Sequence, residues 1–247
     1  MYPIIISTVA GLSTVLGSLL IFLKIPKVKI NKFLCFCLSF SLAVMISISV
    51  FDLIPVSFIS LLKVWSTKRT ITILFVSFIL SFLVISSLDF FVQKSFKNDN
   101  LYHIGILSMI VLMLHNLPEG IATFLSSYQD TMLGLKLAGA IMLHNIPEGI
   151  SIAIPIYYAT GNKKRAIGAT IFSGLSEPLG AILAYVFLKS YITDTMISLI
   201  LVVVAGLMII LAINEILPKA LKYQEMKTLK FGLLMGIIIV LLNIFMF

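Results

Sequence analysis

Apolar residues fill the chain in eight long runs, at about 3–23, 33–55, 70–92, 101–125, 133–159, 165–188, 193–217 and 228–247. Each run meets the roughly 17–25 residues a helix needs to cross a bilayer. Within hydrocarbon the backbone must satisfy its own hydrogen bonds, and a helix does this inside a single segment. The pattern therefore predicts an all-α polytopic membrane protein, a bundle of eight transmembrane helices forming one domain over residues 1–247. The polar stretches between the runs include Lys24–Lys32, Lys63–Arg69, Gln93–Asn100, Gly161–Arg165 and Lys219–Lys230. None leaves room for an extramembrane domain, so any chemistry is expected inside the bundle or at its mouths. Met1–Leu23 lacks a basic leader and a small-residue cleavage site, and is expected to be the first spanning helix rather than a removed signal.

Composition agrees with this pattern. The chain is 60% hydrophobic and 11% charged, outside the range of soluble domains. Its net charge of +8 is parcelled into loops, so it reports topology and does not call for nucleic acid as a partner. Loops one, three, five and seven hold thirteen Lys and Arg residues, and the other side holds five. Basic residues prefer the cytoplasm, which places both termini outside a cytoplasmic membrane. Lys63, Lys68 and Arg69 in the second loop run against that count. Cys35 and Cys37 point about 200° apart on a helix, so they read as core or lipid-facing residues rather than a disulfide.

Against this apolar background one motif is repeated: His115-Asn116-Leu117-Pro118-Glu119-Gly120 and His144-Asn145-Ile146-Pro147-Glu148-Gly149. The hexads use two of the three histidines and lie within predicted spans. Ionisable groups are expensive there and are rarely present without a task. On a helix, Glu119 lies about 40° and Asn116 about 100° round from His115, so each glutamate stands between its histidine and its asparagine. Two such faces opposed could hold two adjacent ions, with Glu119 and Glu148 bridging. Glu119, Glu148 and Glu177 are spaced by equal steps of 29 residues, which in an up-down bundle puts all three at similar depth. Pro118, Pro147 and Pro178 adjoin them; Pro118 and Pro147 cannot donate to the carbonyls of Leu114 and Leu143. Imidazole, carboxylate and amide oxygen together suit Zn²⁺, Fe²⁺ or Mn²⁺ better than soft copper(I) or hard Mg²⁺. The bland alternative, polar residues joining helices by hydrogen bonds, accounts poorly for two identical hexads.

HNLPEGIATF at 115–124, HNIPEGISIA at 144–153 and SGLSEPLGA at 173–181 make the chain resemble the ZIP (Zrt/Irt-like) family of divalent-metal transporters, most closely its bacterial broad-metal uptake branch. The resemblance implies eight spans with both termini outside, and uptake of zinc, with iron, manganese and cobalt as further candidates. It implies that His115, Glu119, His144 and Glu148 hold the principal transport site, and that Asn116 and Asn145 join the two glutamates and Glu177 in a second, adjacent site. Met45 is similar to a family methionine that contributes a soft ligand; core packing explains it equally well. The metal would be cargo, with no cofactor, and the other partners are the lipid bilayer and a second copy in a homodimer. The family's histidine-rich loop between spans three and four is missing here, where only His103 lies nearby.

A second repeat is legible without the family. Asp52-Leu53-Ile54-Pro55 ends span two, and Glu215-Ile216-Leu217-Pro218 ends span seven. In the topology above these acids lie near opposite surfaces, as inverted repeats about a midplane site require. They could admit and release metal, or simply snorkel from helix ends. His103, Asp89 and the Lys163-Lys164-Arg165 cluster read as loop or topology residues, and Trp65, Tyr157 and Tyr158 as interfacial anchors. A rival to transport is an intramembrane metal-dependent hydrolase or oxidase using the same cluster. It lacks an H-E-x-x-H pattern and a spare general base.

Overall fold

The computed structural model describes residues 2–22, 27–95, 101–188, 190 and 192–246, without the side chains of residues 27, 28, 88–95, 101, 103, 104, 107, 115 and 246. Eight helices are long and apolar enough to span a membrane: α1 (Tyr2–Phe22), α2 (Lys29–Leu62), α3 (Thr67–Ser87), α4 (Ser108–Gln129), α5 (Thr131–Thr160), α6 (Lys163–Leu188), α7 (Asp194–Leu221) and α8 (Met226–Phe245). No strand occurs among the described residues. Side chains of α2, α5 and α7 are mostly buried, whereas few of those of α3 and α8 are. Their exposed residues include Phe75, Phe82, Phe231 and Leu242, an outer belt suited to lipid.

Where a loop is short the chemistry of its ends is plain. Between α4 and α5, Asp130 accepts a hydrogen bond from the backbone N–H of Leu133 and caps α5. Gly161 closes α5 with φ of 66°, a left-handed conformation glycine adopts without strain, and Asn162 caps the start of α6. Thr193 caps α7 in the same way.

Helices α2 and α7 differ from expectation: neither ends at its acid-x-x-proline segment. Each widens into one π-helical turn, Ser49–Leu53 and Ala212–Ile216, and continues to Leu62 and Leu221. The N–H of Ile54 donates to the Ser49 carbonyl, and that of Leu217 to the Ala212 carbonyl, five residues back in both cases. A proline ring clashes with the carbonyl four residues before it, and the wider turn relieves this without ending the helix.

The packing has an internal two-fold pattern. Helices α1, α4, α5 and α6 form one group and α2, α3, α7 and α8 the other. Contacts come in matched pairs: α1 on α5 with α6 on α4, α3 on α7 with α8 on α2, and α2 on α5 with α7 on α4. Residue correspondences follow with one constant step. Gly11 and Gly174, Gly17 and Gly180, Asp52 and Glu215, and Pro55 and Pro218 are each 163 residues apart. Gly17 packs on the Ile146 carbonyl as Gly180 packs on that of Leu117. Gly149 meets the backbone of Thr14 as Gly120 meets that of Glu177. Small residues at these crossings let backbones touch, the usual basis of helix association in lipid.

Candidate metal centre

The first hexad lies on α4, the second on α5, and Glu177 on α6. Asn116, Glu119, His144, Asn145, Glu148 and Glu177 are all no more than 2% exposed. His115 has helical backbone, but its side chain falls outside the described residues, as do those of His103 and Asp89. Pro118 and Pro147 sit inside continuous helices. At α6 the chain breaks: one helical segment ends at Gly174 and the next begins at Ser176. Pro178 cannot donate back to Gly174, and Glu177 therefore occupies the first turn of the second segment.

The described polar atoms meet in pairs. His144 Nε2 lies 3.1 Å from Glu119 Oε1, joining α4 to α5. The Asn145 amide donates to Glu177 Oε1 and, at 3.1 Å, to the Ala10 carbonyl. Ser7 Oγ donates to the Glu177 carbonyl at 3.3 Å. Helix α1 thus braces α5 and α6 from behind. Glu148 lines a cavity of about 20 Å³, room for one water-sized body. Among the described residues, no three His, Cys, Asp or Glu side chains gather closely enough to hold an ion.

The two halves of this centre are not equivalent. The step of 163 makes Thr14 the counterpart of Glu177, and the step of 29 makes Asn116 the counterpart of Asn145. Where α6 offers a carboxylate, α1 offers a hydroxyl, and Thr14 spends it on the Gly11 carbonyl at 2.8 Å. Asn116 consequently has neither its side-chain oxygen nor its amide hydrogen-bonded among the described residues.

The acid-x-x-proline residues sit apart from the centre and on opposite sides of it. Because eight crossings bring α8 back to the side where α1 begins, that side can be called the terminal face. Asp52, near the terminal face, is 3.1 Å from Lys136 Nζ of α5. Glu215, near the other face, is 3.1 Å from Lys219 Nζ. Asp52 shares a cavity of about 10 Å³ with Ser126, Leu133, Leu137 and Leu201. Glu215 and Lys219 line the cavity that reaches Glu148. Met45 is fully buried in the apolar core, and its sulfur lies 3.9 Å from Ser41 Oγ. Cys35 and Cys37 are free and buried; the Cys35 thiol points to the Ala220 and Glu225 carbonyls at 3.6 and 3.7 Å.

Four residues on the terminal-face side carry no sequence-level expectation. Thr123 and Ser126 are buried on α4 with hydroxyls that have no hydrogen-bond partner among the described residues. They stand about 40° and 20° from Glu119 on the helix, which is the signal that could have found them. Lys136 pairs with Asp52 across 84 residues, and Asp194 accepts from Gln129 Nε2 at 2.9 Å. Neither pairing has a local sequence signature.

The family model described as ZIP Zinc transporter matches residues 95–243. The chain is 34% identical to the zinc transporter ZupT of Clostridium perfringens (strain 13 / Type A), over 98% of this chain and 95% of that protein. It is 33% identical to the zinc transporter ZupT of Streptococcus mutans serotype c, over 98% of this chain and 96% of that protein. With the zinc transporter ZupT of Oceanobacillus iheyensis it shares 34% identity, over 92% and 91%.

Proposed function

The chain belongs to the ZIP zinc transporter family, and from that premise we propose that it carries divalent transition-metal ions into the cytoplasm across the cytoplasmic membrane. Zinc is the first candidate; iron, manganese and cobalt are further ones. Cargo binds at mid-depth between α4 and α5, on His115, Glu119, His144 and Glu148. Asn116, Asn145 and Glu177 extend this to a second, adjacent ion. Asp52 serves as the way in and Glu215 as the way out, and both termini face outside. Rocking of one helix group against the other exposes the centre to each face in turn, the working mode of inverted-repeat carriers.

One observation carries this reading. Six polar or ionisable side chains from three helices are buried inside an apolar bundle, and four of them meet in two pairs that join neighbouring helices. A carboxylate and an imidazole 3.1 Å apart can exchange their mutual contact for a shared cation. Each pair therefore holds the centre together when empty and supplies ligands when loaded. The hydrolase reading finds no comparable support: the relatives are transporters, and every carboxylate at this depth is assigned to cargo.

The test is reconstitution in liposomes with a zinc-sensitive dye inside. Wild-type protein should bring the dye up on addition of external Zn²⁺, and Glu119→Ala and His144→Ala should each slow the initial rate at least about tenfold, in the range seen when metal-centre residues are lost. Dye response equal to that of empty liposomes, with hydrolysis of an added lipid or peptide, would refute transport. Competition by Fe²⁺, Mn²⁺ and Co²⁺ in the same assay ranks the cargo.

A further inference from the structure

Asp52 is 7% exposed, and a carboxylate this enclosed needs a positive partner. The structure provides one from a different helix: Lys136 of α5 reaches across with Nζ 3.1 Å from Oδ1. Ser126 lines the same small cavity, and its hydroxyl has no hydrogen-bond partner among the described residues. Thr123, one turn further toward Glu119 on the same face of α4, also has a buried, unpartnered hydroxyl. Beyond Asp52, toward the terminal face, a cavity of about 350 Å³ shares Val56, Leu133 and Leu201 with the first and adds Asp194, Gln129 and, as a second cation, Lys63.

Building on the transport reading above, we propose that Asp52 and Ser126 form a divalent-cation station at the terminal mouth, which Lys136 occupies as a tethered counter-ion until an arriving cation displaces it. Attraction to a carboxylate scales with charge, so a doubly charged ion competes with an ammonium where a singly charged one does not. The exchange keeps Asp52 neutralised in both states, so no bare buried carboxylate arises at any step. Ser126 adds a neutral oxygen that suits a partly hydrated dication, and Thr123 offers the next such oxygen toward Glu119. Lys136 thereby sets how strongly the mouth captures metal, and discriminates against monovalent ions. The opposite mouth repeats the arrangement more openly, with Lys219 on Glu215 from the same helix.

Two measurements on the protein in liposomes test this. In wild type, Lys136 should be protected from a membrane-impermeant amine-acylating reagent. External Zn²⁺ should raise its labelling, read by mass spectrometry, about fivefold, the size a partly exposed ion pair supports, and sodium at equal ionic strength should not. Asp52→Asn should label without zinc. In uptake, Lys136→Gln should lower KM for Zn²⁺ by a similar factor, acting on KM more than on maximal rate. Lys136→Arg should restore the wild-type KM, and Ser126→Ala should raise it. Lys136 labelling indifferent to zinc in protein that transports zinc overturns the station. So does a Lys136→Gln KM equal to or above that of wild type. Absence of zinc uptake by the wild type would instead sink the transport reading itself.

Discussion

Asn116 shows what the centre costs. Its amide is fully buried with neither polar atom hydrogen-bonded among the described residues. Leaving such a group without partners costs about 1–3 kcal/mol. An apolar replacement of similar size removes the penalty, so Asn116→Leu is expected to stabilise the folded protein by about 1–2 kcal/mol while reducing zinc uptake. Thermal unfolding in detergent and dye uptake in liposomes measure the two effects on one preparation. A variant that both unfolds earlier and transports normally would contradict the assignment of Asn116 to cargo. Much of this scale was legible beforehand, because charge in an apolar run is conspicuous and the angles within a hexad follow from helix geometry alone. The pairing of Asn145 with Glu177 but not of Asn116 with Thr14 was not. It depends on which residue of α6 faces Asn145 and which residue of α1 holds the corresponding place beside Asn116, a matter of packing between helices.

Between helices, the hexad glycines have a structural task separate from metal. A Cβ built on Gly120 would overlap the backbone of Glu177, and one on Gly149 that of Thr14. Backbone cannot rotate away as a long side chain can, so α4 must withdraw from α6 to admit a methyl group. Gly120→Ala is expected to cost about 1–3 kcal/mol, as overpacking does elsewhere, and to displace Glu177 from Asn145. Lower thermal stability together with a raised KM for zinc would register both; an unchanged melting temperature would show that the crossing tolerates a side chain. Gly139, whose added Cβ would meet only the Asn243 side-chain amide at 3.6 Å among the described residues, is the control that should tolerate alanine. The number and rough limits of the helices followed from hydropathy. The continuation of α2 and α7 past Pro55 and Pro218 did not, because a proline at the edge of an apolar run signals an ending, and only the π turn before it shows the helix absorbing the defect.

At the scale of the whole molecule, the two-fold correspondence turns one structure into an expectation about another. The cavities at Asp52 and Glu215 are counterparts: Leu53, Leu201 and Leu137 line one where Ile216, Leu38 and Ser108 line the other. They differ in depth. The cavity at Glu215 continues past Val111 and Ser151 to Glu148, whereas Glu119 is not among the residues that line the cavity at Asp52. Of these two small cavities, the one on the side opposite the termini reaches further toward the centre. Exchanging the conformations of the two repeats would open the other side along the counterparts of Val111 and Ser151, which are Ala140 and Ala122, and would reach Glu119. Both alanines are now no more than 2% exposed. In a Cys35→Ala, Cys37→Ala background, Val111→Cys should react with a small thiol reagent applied from the face opposite the termini. Ala140→Cys and Ala122→Cys should react only from the terminal face, at rates that change when zinc is supplied there. A carrier with two exclusive states requires that conditions raising the reactivity of Ala140→Cys lower that of Val111→Cys. If both positions were labelled together from either face under every condition, the centre would sit in a continuous pore and the repeats would not exchange.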